Sequence, residues 1–273
     1  MARYRFALRP RWILSHLLVL LLVITMISLG FWQLRRLHER RTYNASVRAN
    51  ESQPAQPVED VLRSGDPVSV GHDLNFRRVS ATGTYDTSNE IIVRARSLAE
   101  TPGVWALTPL RLADGTGVIV LRGFLPSQGT LEHVPSDAEP PGGEVSITGL
   151  VQETQTRGAF GATDPADGRL TTMARADVAR IAKQLPYPVL PAYLQLQAQQ
   201  PPQAGPQPRV LPEPVLDEGP HFSYAIQWFI FTTIAIVGYP LILRRKARDN
   251  ENANAPVGTD DLHREAAGVG STG

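Results

Sequence analysis

The sequence predicts an α+β membrane protein in which a two-helix transmembrane hairpin flanks one external β-rich domain, an antiparallel sheet or a small barrel. Three observations predict this fold class. Two long apolar runs without charged residues lie near the two ends of the 273-residue chain. Arginine and lysine residues cluster directly beside those runs. Between them, short stretches rich in β-branched and aromatic residues alternate with turn-forming residues, which is typical of strands.

The first apolar run covers residues 12–32 and follows an N-terminus, MARYRFALRPR, that contains four arginines. A cleaved signal peptide has the same order of segments, but its apolar core is usually about 7–15 residues and ends in small residues. This run is longer and continues into the aromatic residues Phe31 and Trp32, so we expect an uncleaved span. Residues 1–11 leave no room for an organelle transit peptide, which favours a bacterial plasma membrane.

The second apolar run covers residues 221–243. Its uncharged part, 222–243, would extend roughly 33 Å as a helix, which is enough to cross the hydrocarbon core of a bilayer. A basic cluster, Arg244, Arg245, Lys246 and Arg248, follows at once. A buried helix of a soluble protein is the alternative, but the length and the basic cluster favour a span.

The basic residues beside the two runs also predict the topology. Four arginines precede the first run and four basic residues follow the second, against four (Arg35, Arg36, Arg40 and Arg41) just after the first run. Because basic flanks favour the cytoplasm, both termini are expected there and the middle of the chain outside. The expected segments are a cytoplasmic N-terminus (1–11), transmembrane helix 1 (12–32), the external β-rich domain with a connector (33–198), a Pro/Gln-rich linker (199–220), transmembrane helix 2 (221–243) and a disordered cytoplasmic tail (244–273).

Within the external domain, the residue pattern predicts strands at 76–85, 90–96, 104–112, 118–124, 144–153 and 189–196. Helical segments are expected at 58–63 and 174–184. Asp114-Gly115 predicts a tight hairpin turn. Gly123 interrupts an apolar strand, which predicts a bulge or a close approach of another backbone. Seven prolines in residues 199–220 favour an extended linker over a packed element.

Composition excludes several classes of function. A net charge of +1, with arginines at the ends of apolar runs, argues against nucleic-acid binding. The absence of cysteine excludes disulfides and thiolate sites for copper or zinc, and we expect neither metal. The sequence contains no nucleophile elbow, phosphate-binding glycine loop or zinc-protease motif. We therefore expect no enzyme, and an external hydrolase remains only as a competing hypothesis.

His221 is the main candidate for cofactor chemistry. Gly219-Pro220 precedes it, so His221 begins the second helix near the membrane surface, and a helix N-terminus disfavours the imidazolium form. The neutral form is the one that binds metal. Tyr224 and Trp228 follow on the same helical face. The alternative is an ordinary interfacial histidine with an aromatic belt around it.

Two further groups of residues stand out. Gln33, Arg36 and Arg40 share a helical face at the end of the first span, with Trp32 one turn before Arg36. This face suits either an anionic group at the outer surface or phospholipid headgroups. In the external domain, Arg122 and Phe124 are predicted to share the strand face opposite Gly123, although a strand that simply ends at a turn explains the same residues.

Four stretches, in this order around one β-rich domain, resemble the surfeit-locus (Surf/Shy) family of cytochrome c oxidase assembly factors. They are LGFWQLRR at 29–36, Gly83-Thr-Tyr85, PLRLADG at 109–115 with its continuation RGFLP at 122–126, and PHFSYAIQW at 220–228. The resemblance covers nearly the whole chain. Phe124 stands where the family often has tryptophan, and the proline-rich segment before residue 220 is long.

The resemblance implies a membrane protein that helps to mature the catalytic subunit of a heme-copper oxidase. Some bacterial members bind heme a, and the histidine at the start of the second span, here His221, is their iron ligand. A heme also offers two carboxylates, which suit arginine. The expected heme a site therefore contains His221, Tyr224, Trp228, Trp32, Arg35 and Arg36. The residues expected to bind partner proteins are Gln33, Gln227, Arg122 and Phe124.

The expected partners are subunit I of cytochrome c oxidase, other oxidase subunits or assembly factors, and the membrane. A second hypothesis is a cofactor-free scaffold that braces a partly built oxidase. The third, the external hydrolase, requires a nucleophile and a base that converge in the β domain.

Overall fold

The computed structural model describes residues 2–63, 73–159 and 161–253. Two compact units make up the chain. Of the described residues, 2–42 and 217–253 form a helical unit, and those within 43–216 form a β domain. His72, His263 and most of the expected C-terminal tail lie outside the described residues.

Two long helices dominate the helical unit. Helix α1 spans Pro10–Glu51 and helix α4 spans His221–Ala253, and a short 3-10 helix, Ala2–Leu8, precedes α1. Both long helices have the length and apolar composition needed to cross a membrane, and most of their apolar side chains are exposed. These properties fit a membrane protein.

Both helices extend beyond the predicted spans. Helix α1 continues for 19 residues past residue 32 into the expected connector, and its 42 residues extend about 63 Å, roughly twice a hydrocarbon core. Helix α4 continues to Ala253, so residues 244–253 are helical rather than part of a disordered tail. The physical reason is that alanine, arginine, glutamate and lysine favour helix wherever the chain continues in polar surroundings.

The two helices pack against each other as an antiparallel hairpin. At one end Tyr239 Oη lies 3.0 Å from Ser15 Oγ and 2.6 Å from His16 Nδ1. Towards the other end, the rings of Phe31 and Phe229 meet edge to face at 5.6 Å between centroids. The predicted hairpin is therefore present.

Gly30 allows the close approach of the two helices beside the contact of Phe31 with Phe229. A Cβ atom at position 30 would lie 2.8 Å from Cζ of Phe229, which is closer than van der Waals contact permits. Small residues at such positions are typical of helices that pack in membranes.

Among the described residues, the β domain contains eight strands and two short α-helices, besides two single-turn 3-10 helices. Helix α2 spans Val58–Leu62 and helix α3 spans Val178–Ala182. The strands are β1 (Gln56–Pro57), β2 (Arg78–Tyr85), β3 (Ile91–Leu98), β4 (Thr101–Leu112), β5 (Gly117–Pro126), β6 (Glu144–Gln152), β7 (Thr172–Met173) and β8 (Val189–Gln200). All six predicted strands are present, whereas the helix predicted at 174–184 is shorter.

Five strands close into a small barrel. Strand β2 pairs with β6 on one edge and with β4 on the other, and the ring continues from β6 through β8 and β5 back to β4. The interior is filled by a contiguous aliphatic cluster that includes Leu110, Val120 and Leu194. Strand β3 extends the sheet beyond β4, with β7 at its outer edge.

The sheet is mixed rather than purely antiparallel, which corrects the sequence-based expectation. Strands β5 and β8 run parallel, as do β1 with β2 and β3 with β7. A parallel pair needs a long crossover, and the chain between Pro126 and Val189 provides one. Residue patterns within single strands carry no information about this connection.

The proline-rich segment also differs from the expected linker, because much of it packs on the barrel. Arg209 and Phe124 exchange both backbone hydrogen bonds, at 2.7 and 2.9 Å. Gln195 Nε2 donates to the carbonyl oxygens of Leu211 and Pro212. The segment is extended, as its prolines require, but it pairs with the end of β5 instead of forming a free linker.

Candidate functional site

The first residue of helix α4 is His221, and the chain reaches it through a tight bend. Gly219 has a φ of +67°, a left-handed conformation that glycine adopts without steric cost. The backbone N–H of Tyr224 then donates to the carbonyl of Pro220 at 3.1 Å, which forms the first helical turn. The imidazole is consequently fixed at the end of the hairpin.

The imidazole of His221 makes one hydrogen bond, to helix α1. Its Nδ1 lies 2.8 Å from Oε1 of Gln33. Because a carboxamide oxygen only accepts hydrogen bonds, Nδ1 carries the proton and Nε2 presents its lone pair. A partner that fixes the tautomer in this way is the usual companion of a metal-binding histidine.

The space beside Nε2 depends on glycine. A Cβ atom at position 219 would lie 3.4 Å from both Nε2 and Cδ2 of His221. A side chain at position 219 would therefore be in van der Waals contact with the nitrogen that is available to a ligand. Gly219 therefore serves both the bend and the access to the imidazole.

Aromatic side chains line this end of the hairpin. Tyr224 and Trp32 are about half exposed, at 48% and 49%. Trp228 is partly buried and meets Phe231 edge to face at 6.2 Å between ring centroids. Tyr224 and Trp228 follow His221 at helical spacings of three and seven residues, so the three side chains share one face of α4.

The predicted arginines are differently placed with respect to Gln33. Arg36 follows Gln33 by one helical turn on the same face, and its Nη1 donates to Glu39 at 2.9 Å. Arg35 is exposed and lies roughly 200° around the helix from Gln33, on another face. Further along α1, Arg41 pairs with Glu218 at 2.9 Å and ties α1 to the segment just before α4.

Two comparisons with known proteins place the chain. The model of the SURF1 family matches residues 20–233, which include both Gln33 and His221. The chain belongs to the SURF1 family. It is 30% identical to uncharacterized SURF1-like proteins of Mycobacterium bovis and Mycobacterium tuberculosis, over 94% of this chain and 93% of theirs. It is 27% identical to Surfeit locus protein 1 of Xenopus tropicalis, over 52% of this chain and 50% of that protein.

The SURF1 family is known generally for cytochrome oxidase assembly factors, and its members are not classical enzymes. Within the described part of the β domain, His133 is the single histidine and has no hydrogen bond to a serine, threonine or carboxylate. Among the described residues there is also no group of three or more histidines and carboxylates that could hold a metal ion. The β domain therefore offers no support for the hydrolase hypothesis.

Arg122 and Phe124 lie inside the β domain, each with 1% of its surface exposed, so neither is part of a surface for partner proteins. The barrel interior covers one face of β5, and the other face packs against α3 and the residues around it. A continuous apolar run such as Val118–Leu121 is the sequence signal of a strand buried on both faces. Gln227, in contrast, is exposed on α4.

Arg122 is held by a buried polar network. Its Nη2 donates to Oε1 of Glu90 at 2.9 Å and to the carbonyl of Ala138 at 2.8 Å, and its Nε donates to Thr108 at 2.9 Å. Burial raises the pKa of Glu90, and the hydrogen bond from Thr108 and the charge of Arg122 offset part of that rise. Burial also disfavours the charged form of Arg122 and so lowers its pKa.

Sequence reasoning missed the contact of His16 at the other end of the hairpin. Both of its ring nitrogens are used, Nδ1 by Tyr239 and Nε2 by the carbonyl of Ala7 at 3.1 Å. The contact lies outside the part of the chain that the family model matches. The available signal was a polar residue inside each apolar run, because polar side chains of transmembrane helices hydrogen-bond across the helix interface.

Proposed function

We propose that this SURF1 protein assists the assembly of cytochrome c oxidase by holding heme a at the outer surface of the plasma membrane and aiding its insertion into subunit I. One observation carries the proposal: the hydrogen bond between Nδ1 of His221 and Gln33, which leaves Nε2 available to iron. The SURF1 family's general association with oxidase assembly supports the choice of partner.

The side chains around His221 suit heme in three ways. Nε2 of His221 is an iron ligand of the type found in many heme proteins. Trp32, Tyr224 and Trp228 offer aromatic surface to a porphyrin ring. Arg36, on the same face of α1 as Gln33, offers a guanidinium group that matches a carboxylate, and Arg35 remains a predicted second group although its position on α1 is opposite Gln33. When bound, heme supplies an iron that accepts imidazole nitrogen, while Gln33 keeps the proton on Nδ1.

The proposed topology supports the same placement. With both termini in the cytoplasm, the junction of α1 and α4 that contains Gln33 and His221 lies at the outer membrane surface. Helix α1 continues past that surface for several turns. Heme a would thus be held where an oxidase subunit in the same membrane can receive it.

The test is the absorption spectrum of full-length protein purified from cells that make heme a. Wild-type protein should carry a heme band, and His221→Ala should lose most of it. His16→Ala is the matched control, because it removes a hairpin histidine whose ring nitrogens are both used. Gln33→Leu should weaken heme binding by about 10–100-fold, since it removes the group that orients the ligand.

A colourless wild-type protein would refute heme binding. So would a heme band that persists in His221→Ala at the intensity found in His16→Ala. Loss of the band in His221→Ala alone supports His221 as the ligand.

A second function, a cofactor-free scaffold for an oxidase intermediate, is favoured by one feature of the same site. His221 and Gln33 already bond to each other, so the helix pair is complete without a ligand, while exposed Trp32 remains available to a partner. This function predicts that oxidase subunits co-purify with His221→Ala but not with variants of Trp32 or Trp228. Loss of co-purification in His221→Ala would favour the heme function instead.

A further inference from the structure

A cavity of about 630 Å³ in the β domain is lined by three arginines, Arg94, Arg96 and Arg175. Its other lining residues are small or uncharged: Ala95, Gln155, Thr156, Ala162 and Ala174. No carboxylate is among the lining residues, so the walls are strongly cationic. The proposed heme function makes no use of this cavity, which lies wholly in residues 94–175.

A bulge in strand β3 brings the first two arginines to the cavity. The register with β4 shifts between Val93 and Arg96, so that Arg94 and Ala95 face a single residue of the partner strand. Ala95 adopts a φ of +56°, which is unusual for a residue with a Cβ atom. Bulges of this kind redirect side chains and are frequent beside functional sites.

Arg96 is fixed in place before any ligand binds. Its guanidinium carbon lies 4.4 Å from the ring centroid of Trp105, a stacked cation–π geometry. Its Nη2 donates to Gln155 Oε1 at 2.9 Å and to the carbonyl of Ala174 at 3.2 Å. Its Nε is buried and has no acceptor in the described part of the protein.

The positive charges of this cavity are only partly balanced. Arg94 pairs with Asp164 at 2.8 Å. Arg96 bonds only to neutral acceptors, and Arg175 donates to the carbonyl of Ala162 at 2.8 Å. Among the described residues neither Arg96 nor Arg175 forms a salt bridge, so two guanidinium charges remain without a counterion.

Placing these two cations together is unfavourable without an anion. Burial lowers the pKa of Arg96, and the nearby charge of Arg175 lowers it further. An anion between the two groups would remove that repulsion and accept hydrogen bonds from the guanidinium groups that line the cavity. Charge-assisted bonds from arginine to oxyanions are among the strongest hydrogen bonds in proteins.

We infer that the cavity of Arg94, Arg96 and Arg175 binds a phosphate group, either free phosphate or the headgroup of an anionic phospholipid. Phosphate fits better than a single carboxylate because its tetrahedral oxygens can accept from two guanidinium groups that approach from different directions, and free phosphate also carries a charge between −1 and −2. The planar fork of arginine also matches phosphate oxygens in pairs. The cavity is large enough for either source.

The experiment titrates full-length protein in neutral detergent micelles and follows binding by calorimetry. One arm uses inorganic phosphate, and the other uses short-chain phosphatidylglycerol with short-chain phosphatidylcholine as its zwitterionic reference. The variants Arg96→Gln and Arg175→Gln should each weaken binding at least tenfold. Arg209→Gln is the control, because it removes an exposed arginine of the same domain that has no charged partner.

Binding of inorganic phosphate that both cavity variants weaken supports the inference and identifies a soluble ligand. Binding of phosphatidylglycerol alone, with the same loss, supports it and identifies a lipid headgroup. The inference is overturned if neither probe binds, or if Arg175→Gln binds as the Arg209→Gln control does. Near-ultraviolet circular dichroism of each variant checks folding, and Arg175→Gln keeps the test valid if Arg96→Gln fails to fold.

Discussion

Replacing Arg122 by methionine should destabilise the β domain strongly. The substitution removes the guanidinium that bonds Glu90 and the carbonyl of Ala138, but leaves both acceptors in place. The side chain of Arg122 is 1% exposed and that of Glu90 is 13% exposed, so water cannot replace the lost bonds fully. Breaking a buried ion pair by removing one partner costs about 3–5 kcal/mol.

The measurement is denaturant unfolding of full-length protein in neutral detergent, followed by near-ultraviolet circular dichroism. Arg209→Met should change the free energy of unfolding by no more than about 0.5 kcal/mol, as is usual for surface substitutions. Arg122→Met combined with Glu90→Gln should lose less than Arg122→Met alone, because no unpaired charge then remains. A loss below about 1 kcal/mol for Arg122→Met would refute the reasoning.

The pH dependence provides an independent check on the same pair. Burial is the main reason that the pKa of Glu90 is raised above its ordinary value of 4.5. The contribution of Glu90 to the free energy of unfolding is therefore most favourable below pH 4.5. That contribution is lost as the pH rises through the folded-state pKa. Removing Arg122 takes away a charge that lowers this pKa. The destabilisation of Arg122→Met should therefore be larger at pH 8 than at pH 5.

Three further substitutions test other parts of the structure. Gly30→Leu should force Phe229 and the two helices apart by about 1 Å, and should reduce heme binding more than Gly238→Leu on the open face of α4. Asp86→Asn should make the stability of the protein fall less steeply as the pH is lowered. Burial alone would raise the pKa of Asp86, but hydrogen bonds hold that pKa below its ordinary value. The stabilisation that Asp86 provides is therefore lost as the pH falls through the lowered pKa. Gly123→Ala should destabilise the β domain by at least about 1–3 kcal/mol in denaturant unfolding, because a Cβ atom would lie 2.3 Å from the carbonyl oxygen of Arg209.

The elements that sequence predicted well are those fixed by local pattern. Both apolar runs are helices, and strand β5 was expected within two residues of its observed ends. Gly123 was expected to mark a bulge or a close backbone approach. The structure contains both, since the register of β4 with β5 shifts beside it and the backbone of Arg209 lies against it.

What sequence could not predict depends on contacts between distant segments. The parallel pairing of β5 with β8 joins residues about 70 positions apart, and no local pattern encodes it. The burial of Arg122 and Glu90 also depends on that topology. Rules based on polarity place charged residues at the surface and therefore do not predict such a pair. At the candidate site, His221 was predicted to be near the end of the first span, but its bond to Gln33 required the packed hairpin.

The two interhelical histidines show why only one of them suits iron. His16 bonds through both ring nitrogens, so a metal could bind there only after Tyr239 or the carbonyl of Ala7 had been displaced. His221 bonds through Nδ1 alone. His221 begins its helix at the membrane surface, so water can hydrogen-bond to Nε2 until a ligand binds. A histidine deep in the lipid has no water for this purpose. The same residue type thus joins the helices at one end of the hairpin and remains available for coordination at the other.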